Sequence, residues 1–135
     1  MDLSDKKPGY NPLRWDCEKQ GCFNLKRRPK IEVFADCFPR RINFGDVDGL
    51  VELKSKGLLL EWKCIKGCLP TGQRIAHENL TKDEKFTTIC IVGNAETMEC
   101  THYGFFYNGK WHDWKQANLN DIKEFIKRWV KYQNK

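Results

Sequence analysis

Asp46, Asp48, Glu61 and Lys63 lie within two short apolar runs, 45–53 and 58–65, separated by the polar break Lys54-Ser55-Lys56-Gly57. Side chains alternate faces along a strand, so Glu61 and Lys63 share one face and Trp62 takes the other. If the hairpin pairs Leu53 with Leu58, Leu50 sits opposite Glu61 and Asp48 opposite Lys63, with Asp46 further along the same face. That register is an assumption, because a turn one residue longer would flip it. Carboxylates brought close together repel unless a cation or a proton intervenes. Oxygen ligands from Asp and Glu suit a hard divalent cation such as Mg²⁺ or Mn²⁺. A lysine beside it can hold an attacking water or stabilise charge developing on a phosphate. The chemistry this points to is phosphodiester hydrolysis. The competing reading is a cross-strand ion pair between Asp48 and Lys63 on a solvated sheet face. The apolar run Leu58-Leu59-Leu60 leading into Glu61 argues instead for a covered face.

The elements that must position these residues follow from pattern. Asn11 and Pro12 read as N-cap and first helical residue of a short helix that Gly21 closes. Two β-prone runs, "CFNL" and "IEVFADCF", occupy 22–38 around a break at Arg28-Pro29. The two runs that carry the charges form an antiparallel hairpin. Thr71 is a candidate N-cap for a helix with Ile75, Ala76 and Leu80 at helical spacing. "FTTICIV" is β-branched and almost wholly apolar, as a central strand buried on both faces must be. A second hairpin turns at Asn108-Gly109. Leu119, Ile122, Phe125, Ile126, Trp129 and Val130 mark one face of a C-terminal helix capped by Asn118. The expected class is α/β with a mixed sheet, in one domain over 1–135, with a lead at 1–10, a core at 12–92 and a C-terminal hairpin and helix at 93–135.

Length and composition agree. The chain has 135 residues, 40% hydrophobic and 31% charged, too rich in apolar and aromatic residues for a disordered chain. No run is long and apolar enough to span a bilayer. "MDLSDKKPGYNP" lacks the apolar region of a secretory signal, which favours the cytosol. Seven cysteines then read as reduced thiols, although Cys17/Cys22 and Cys64/Cys68 have a loose zinc-like spacing. The net charge of +6 is unevenly placed, with Lys26, Arg27, Arg28 and Lys30 in one cluster and Arg40-Arg41 in another. Such clusters attract polyanions and are candidate phosphate contacts; alone they are equally a solvated face.

Asp48 followed by Glu61-Trp62-Lys63 resembles the Asp…(Asp/Glu)-x-Lys signature of the PD-(D/E)XK nuclease superfamily. After the lysine, "GCLPTGQRIAHENL" is similar to the segment of its VRR-NUC and Holliday-junction-resolvase-like branches in which a glutamine, here Gln73, opens the helix behind the catalytic hairpin. The similarity runs from about Gly45 to Leu80. It implies a restriction-endonuclease-like α-β-β-β-α-β core, Mg²⁺ or Mn²⁺ as cofactor and DNA as substrate, branched or single-strand-containing forms included, with RNA not excluded. By the same resemblance Asp48 and Glu61 are metal ligands, with Asp46 open as an alternative to Asp48. Lys63 positions water or stabilises charge, Gln73 supports the site, and Glu18 is the nearest candidate for an acid on the first helix. The sequence departs from the pattern in two places. Val47 stands where the family name has proline, and the first helix is short.

After residue 93 the resemblance ends. Tyr103, Phe105, Phe106, Tyr107, Trp111 and Trp114 alternate with Lys110 and Lys115, a mixture that can stack bases, pack beneath the last helix or form a homodimer interface. His102 and His112 among them read as packing residues. His77, four residues from Gln73 on the same side of its helix, could touch phosphate but reads first as an ordinary surface histidine. The small size is that of a phage or mobile-element protein. The rival function is a non-catalytic nucleic-acid or protein binder on the same fold, such as a phage-encoded inhibitor of host defence.

Overall fold

A computed structural model of the chain describes residues 30–40, 42, 44–45, 47–63 and 69–134. They belong to two units, Met1–Gly45 and Asp46–Lys135. In the second, Lys54 and Ser55 take φ of 51° and 69°, the left-handed pair that a two-residue type I′ turn requires, and Glu52 Oε2 accepts the Ser55 N–H at 2.7 Å. Strand β1 (Gly49–Leu53) therefore pairs antiparallel with β2 (Lys56–Lys63), Leu53 against Lys56 and Gly49 against Leu60. The expected pairing of Leu53 with Leu58 is off by two residues, because the turn takes two residues of the polar break and the strand takes the rest. An even shift leaves every side chain on its face. Continuing the register one residue past Gly49 puts Asp48 across from Glu61, not Lys63.

From β2 the chain passes through helix α1 (Thr71–Leu80) to β3 (Phe86–Gly93), which lies parallel to β2 with Glu61 beside Cys90 and Lys63 beside Val92. Every residue from Thr87 to Val92 is buried, as a central strand requires. Strands β4 (Cys100–Tyr107) and β5 (Lys110–Gln116) follow antiparallel, joined at Asn108 and Gly109, whose φ of 52° and 77° form a second I′ turn. Gly104 in β4 is the position over which Trp111 lies, since a Cβ there would run into that ring. Helix α2 (Leu119–Gln133) begins with a capping box in which Asn118 Oδ1 accepts the Asp121 N–H and Asp121 Oδ2 accepts the Asn118 N–H, both at 2.9 Å.

The result is a mixed α/β fold, a five-stranded sheet in the order β1-β2-β3-β4-β5 flanked by helices, as the sequence led us to expect. One sheet face packs on α2 through Leu58, Ile89, Ile91 and Tyr103 against Ala117, Ile122 and Trp129, each large side chain contributing about 1.5–3 kcal/mol. The other face lies against α1, with Glu61 and Thr88 buried beneath it and His77 stacked on Phe106.

Two expectations need correction. The run "IEVFADCF" is not a strand: Ile31–Cys37 is a 3-10 helix, bonded Val33 N–H to Lys30 O and Phe38 N–H to Ala35 O. A strand needs a partner ladder, and among the described residues this unit forms none; the segment satisfies its backbone internally and sets Phe34 and Phe38 edge-on to Phe44. The described residues thus carry two strands before α1 where the resemblance implied three. The expected first helix at 12–20 and the run at 22–25 lie outside the described residues. The second correction concerns α1. Its N-cap position is Pro70 with no side-chain cap bond, Ile75 and Leu80 are 51% and 47% exposed, and the buried residue is His77.

Candidate active site

The even register shift decides what meets at the free end of the hairpin. Where the β1 ladder stops at Gly49, the Asp48 side chain continues it, its Oδ2 accepting the Trp62 N–H at 2.6 Å. An exposed carboxylate is thereby fastened to the backbone between Glu61 and Lys63. Glu61 projects from β2 toward α1 and is 4% exposed. A buried carboxylate must have partners. Gln73 Nε2 approaches its Oε2 at 3.4 Å and His77 Nε2 its Oε1 at 3.4 Å. The other end of the Gln73 amide, Oε1, accepts from Lys63 Nζ at 2.8 Å, so one side chain spaces the ammonium from the carboxylate and holds both. Gln73 and His77 are four residues apart on α1 and therefore share the face that lies on β2 and β3.

His77 extends this network inward. Its Nδ1 lies 3.0 Å from Thr88 Oγ1, and Thr88 is fully buried. Burial first, and the Lys63 ammonium second, hold the imidazole below its ordinary range, so it is neutral at pH 7. With the proton on Nε2 facing Glu61, Nδ1 is free to accept the Thr88 hydroxyl, and both bonds are satisfied by one tautomer. Thr81 Oγ1 donates to the His77 carbonyl at 2.8 Å and accepts the Gly109 N–H at 3.1 Å, tying this turn of α1 to the second hairpin. Cys90, beside Glu61 on β3, has its thiol pushed up to about 12 by burial and by the Glu61 carboxylate, with Lys63 acting in the opposite direction.

Of the residues singled out from sequence, Asp48, Glu61, Lys63 and Gln73 come together here. Asp46 and Glu18 lie outside the described residues, as do Lys26, Arg27, Arg28 and Arg41 and the cysteines Cys17, Cys22, Cys64 and Cys68. Lys30 and Arg40 are exposed in the first unit. His77, whose spacing places it on the side of α1 that carries Gln73, is buried in the network and not the ordinary surface histidine that the sequence led us to expect. His112 stacks on Phe105 with ring centres 4.3 Å apart, and His102 Nδ1 lies 3.0 Å from Thr101 Oγ1.

No protein-family model, curated protein or solved structure matches this chain. The site is judged on its own chemistry. Among the described residues no group of three or more His, Cys, Asp and Glu side chains converges as a metal cage. The candidate donors are instead two carboxylates, Asp48 just before β1 and Glu61 on β2. That is the set Mg²⁺ uses when it keeps several waters and takes its remaining oxygens from a phosphate substrate. Carboxylate oxygens are the donor type that Mg²⁺ and Mn²⁺ take.

Proposed function

We propose that this chain is a metal-dependent nuclease of PD-(D/E)XK type that hydrolyses DNA phosphodiester bonds. The observation that carries the reading is the Gln73 bridge. A single amide from α1 joins Lys63 and Glu61, the two ends of the Glu-x-Lys motif, while Asp48 is fixed to the peptide between them. Spacing alone does not produce this arrangement; hairpin and helix must be in register.

A bound divalent cation would supply Lewis-acid activation of water and neutralise phosphate charge. Asp48 and Glu61 would hold it. Lys63 directs its amine into the site, where it would orient the attacking water and stabilise negative charge growing on the phosphoryl oxygens. Gln73 fixes the amine's position by accepting one of its protons, and keeps it from closing onto Glu61 as a simple ion pair. His77 holds the opposite edge of Glu61, so that the carboxylate keeps one orientation.

Cleavage assays on end-labelled single-stranded, duplex, forked and four-way-junction DNA, and on RNA, test the reading and sort substrate form at once. Cutting of at least one DNA form with Mg²⁺ or Mn²⁺, abolished by EDTA, is the expected result. No cutting of any substrate, with nucleic-acid or protein binding that ignores EDTA, would favour the non-catalytic binder on this fold.

A further inference from the structure

On the sheet face away from Glu61 and Lys63, a cavity of about 450 Å³ opens between the strands and the C-terminal half of α2. Its size is that of a site for one small organic ligand, roughly 300–1,000 Å³. The walls are aromatic. Phe125 of α2 meets Phe105 at 5.0 Å and Tyr103 at 5.3 Å between ring centres, so three rings are fixed by one another. Tyr132, 59% exposed, stands at the opening. Tyr103 is buried, so the open π faces are those of half-buried Phe105 and exposed Tyr132, and these offer stacking area to a planar heterocycle.

The rim is basic. Lys56, Lys115 and Arg128 face the cavity against one carboxylate, Glu84. Lys115 Nζ stands 5.5 Å from the centre of the Tyr103 ring, so a cation is held against the aromatic wall. Glu84 is hydrogen-bonded with the Tyr107 hydroxyl, which in turn bonds with Tyr132. Glu84 keeps acceptor capacity for an amino or hydroxyl group. An aromatic floor, cations at one side and an acceptor at the other match the parts of one nucleotide: base, phosphate and exocyclic amine or sugar hydroxyl.

We propose that this cavity binds a nucleoside phosphate, its base against Phe105 and Tyr132 and its phosphate on Lys115 and Arg128. The unit comes either from a free nucleotide or from an unpaired residue of a nucleic-acid strand. The proposal does not depend on the carboxylate site, which occupies the other sheet face.

Titration calorimetry of the full chain in EDTA with dAMP, deoxyadenosine and a short dA oligonucleotide tests it. Binding of dAMP or of the oligonucleotide is expected, with deoxyadenosine about tenfold weaker for lack of the phosphate. Arg128→Ala and Tyr132→Ala should each weaken binding about tenfold. Both residues are exposed, so the variants keep the fold, as circular dichroism would verify. Lys123→Ala, exposed on α2 outside the cavity, should bind as the parent does. Tighter binding of the oligonucleotide than of dAMP assigns the strand source, and equal binding per site assigns the free nucleotide. Retained binding in Lys63→Ala would separate this site from the nuclease centre. Absence of binding to every probe, or affinity indifferent to both Arg128→Ala and Tyr132→Ala, would overturn the proposal.

Discussion

At the scale of single residues, the site is built around the problem of burying Glu61. A carboxylate at 4% exposure is stabilised by a neutral histidine on one edge and an amide on the other, and both partners come from one face of α1. His77 therefore carries a pH signature. Its folded-state value lies below its ordinary 6.5, so the unfolded chain binds the proton more readily. This contribution to stability is complete above 6.5 and is lost as pH falls through the folded value. Urea unfolding above and below 6.5 should show a fall in midpoint on acidification that His77→Gln reduces; an equal fall in both proteins would contradict a buried neutral His77. Cys90 makes a second prediction. A thiol pushed up to about 12 has, relative to one at 9.0, a thiolate fraction about a thousandfold lower at neutral pH. Iodoacetamide should label exposed Cys37 in the folded protein and leave Cys90 untouched until denaturant is added, as peptide mass mapping would read. Comparable labelling rates for the two would place Cys90 elsewhere than beneath α1.

At the scale of elements, the sequence was most legible where one physical cue dominated. The β-branched run of β3 announced a central strand, Asn108-Gly109 a tight hairpin, and Asn118 a helix start. It was less legible where two cues competed. Lys54-Ser55 lacks the Asn-Gly of a type I′ turn, so the polar break read as four residues when the turn uses two. The pairing slipped by two as a result, and the site survived because faces depend only on parity. Alpha-helical periodicity in α1 pointed to Ile75, Ala76 and Leu80, yet the sheet face beneath carries Glu61 and Thr88, so the helix turns Gln73 and His77 toward it. Polar complementarity outweighed the apolar stripe, and no hydropathy pattern records that. The run at 31–38 failed for another reason: propensity favours a strand, but pairing decides one. The hairpin makes its own prediction. Two non-glycine residues in the left-handed region cost about 1 kcal/mol each, so the double change Lys54→Asn with Ser55→Gly should raise stability by about 1 kcal/mol. Thermal melting would show a higher Tm; an unchanged or lower Tm would contradict the two-residue turn and with it the placement of Asp48.

At the scale of the whole molecule, the sheet of the second unit divides labour between its faces. Against α2 it carries an apolar core and the aromatic cavity; against α1 it carries a polar network that ends at Asp48, Glu61 and Lys63. Among the described residues no helix is long and apolar enough to cross a membrane. The motif Asp…Glu-x-Lys with a following Gln is legible in the sequence alone, because each residue type is the one its proposed chemistry needs. Its third dimension is not, since the Gln73 bridge depends on where α1 lands on the sheet. On the proposed reading, function rests on one side chain of that bridge, Lys63, whose loss should spare the fold. Lys63 is only partly buried and has no place in the apolar core, so Lys63→Ala should fold as the parent does. The decisive measurement is Mg²⁺-dependent cleavage of labelled DNA by the parent chain and by Lys63→Ala, side by side, with circular dichroism on both. The account predicts cutting by the parent that EDTA stops and that the folded Lys63→Ala protein lacks; a folded Lys63→Ala protein that cuts as fast as the parent would contradict it.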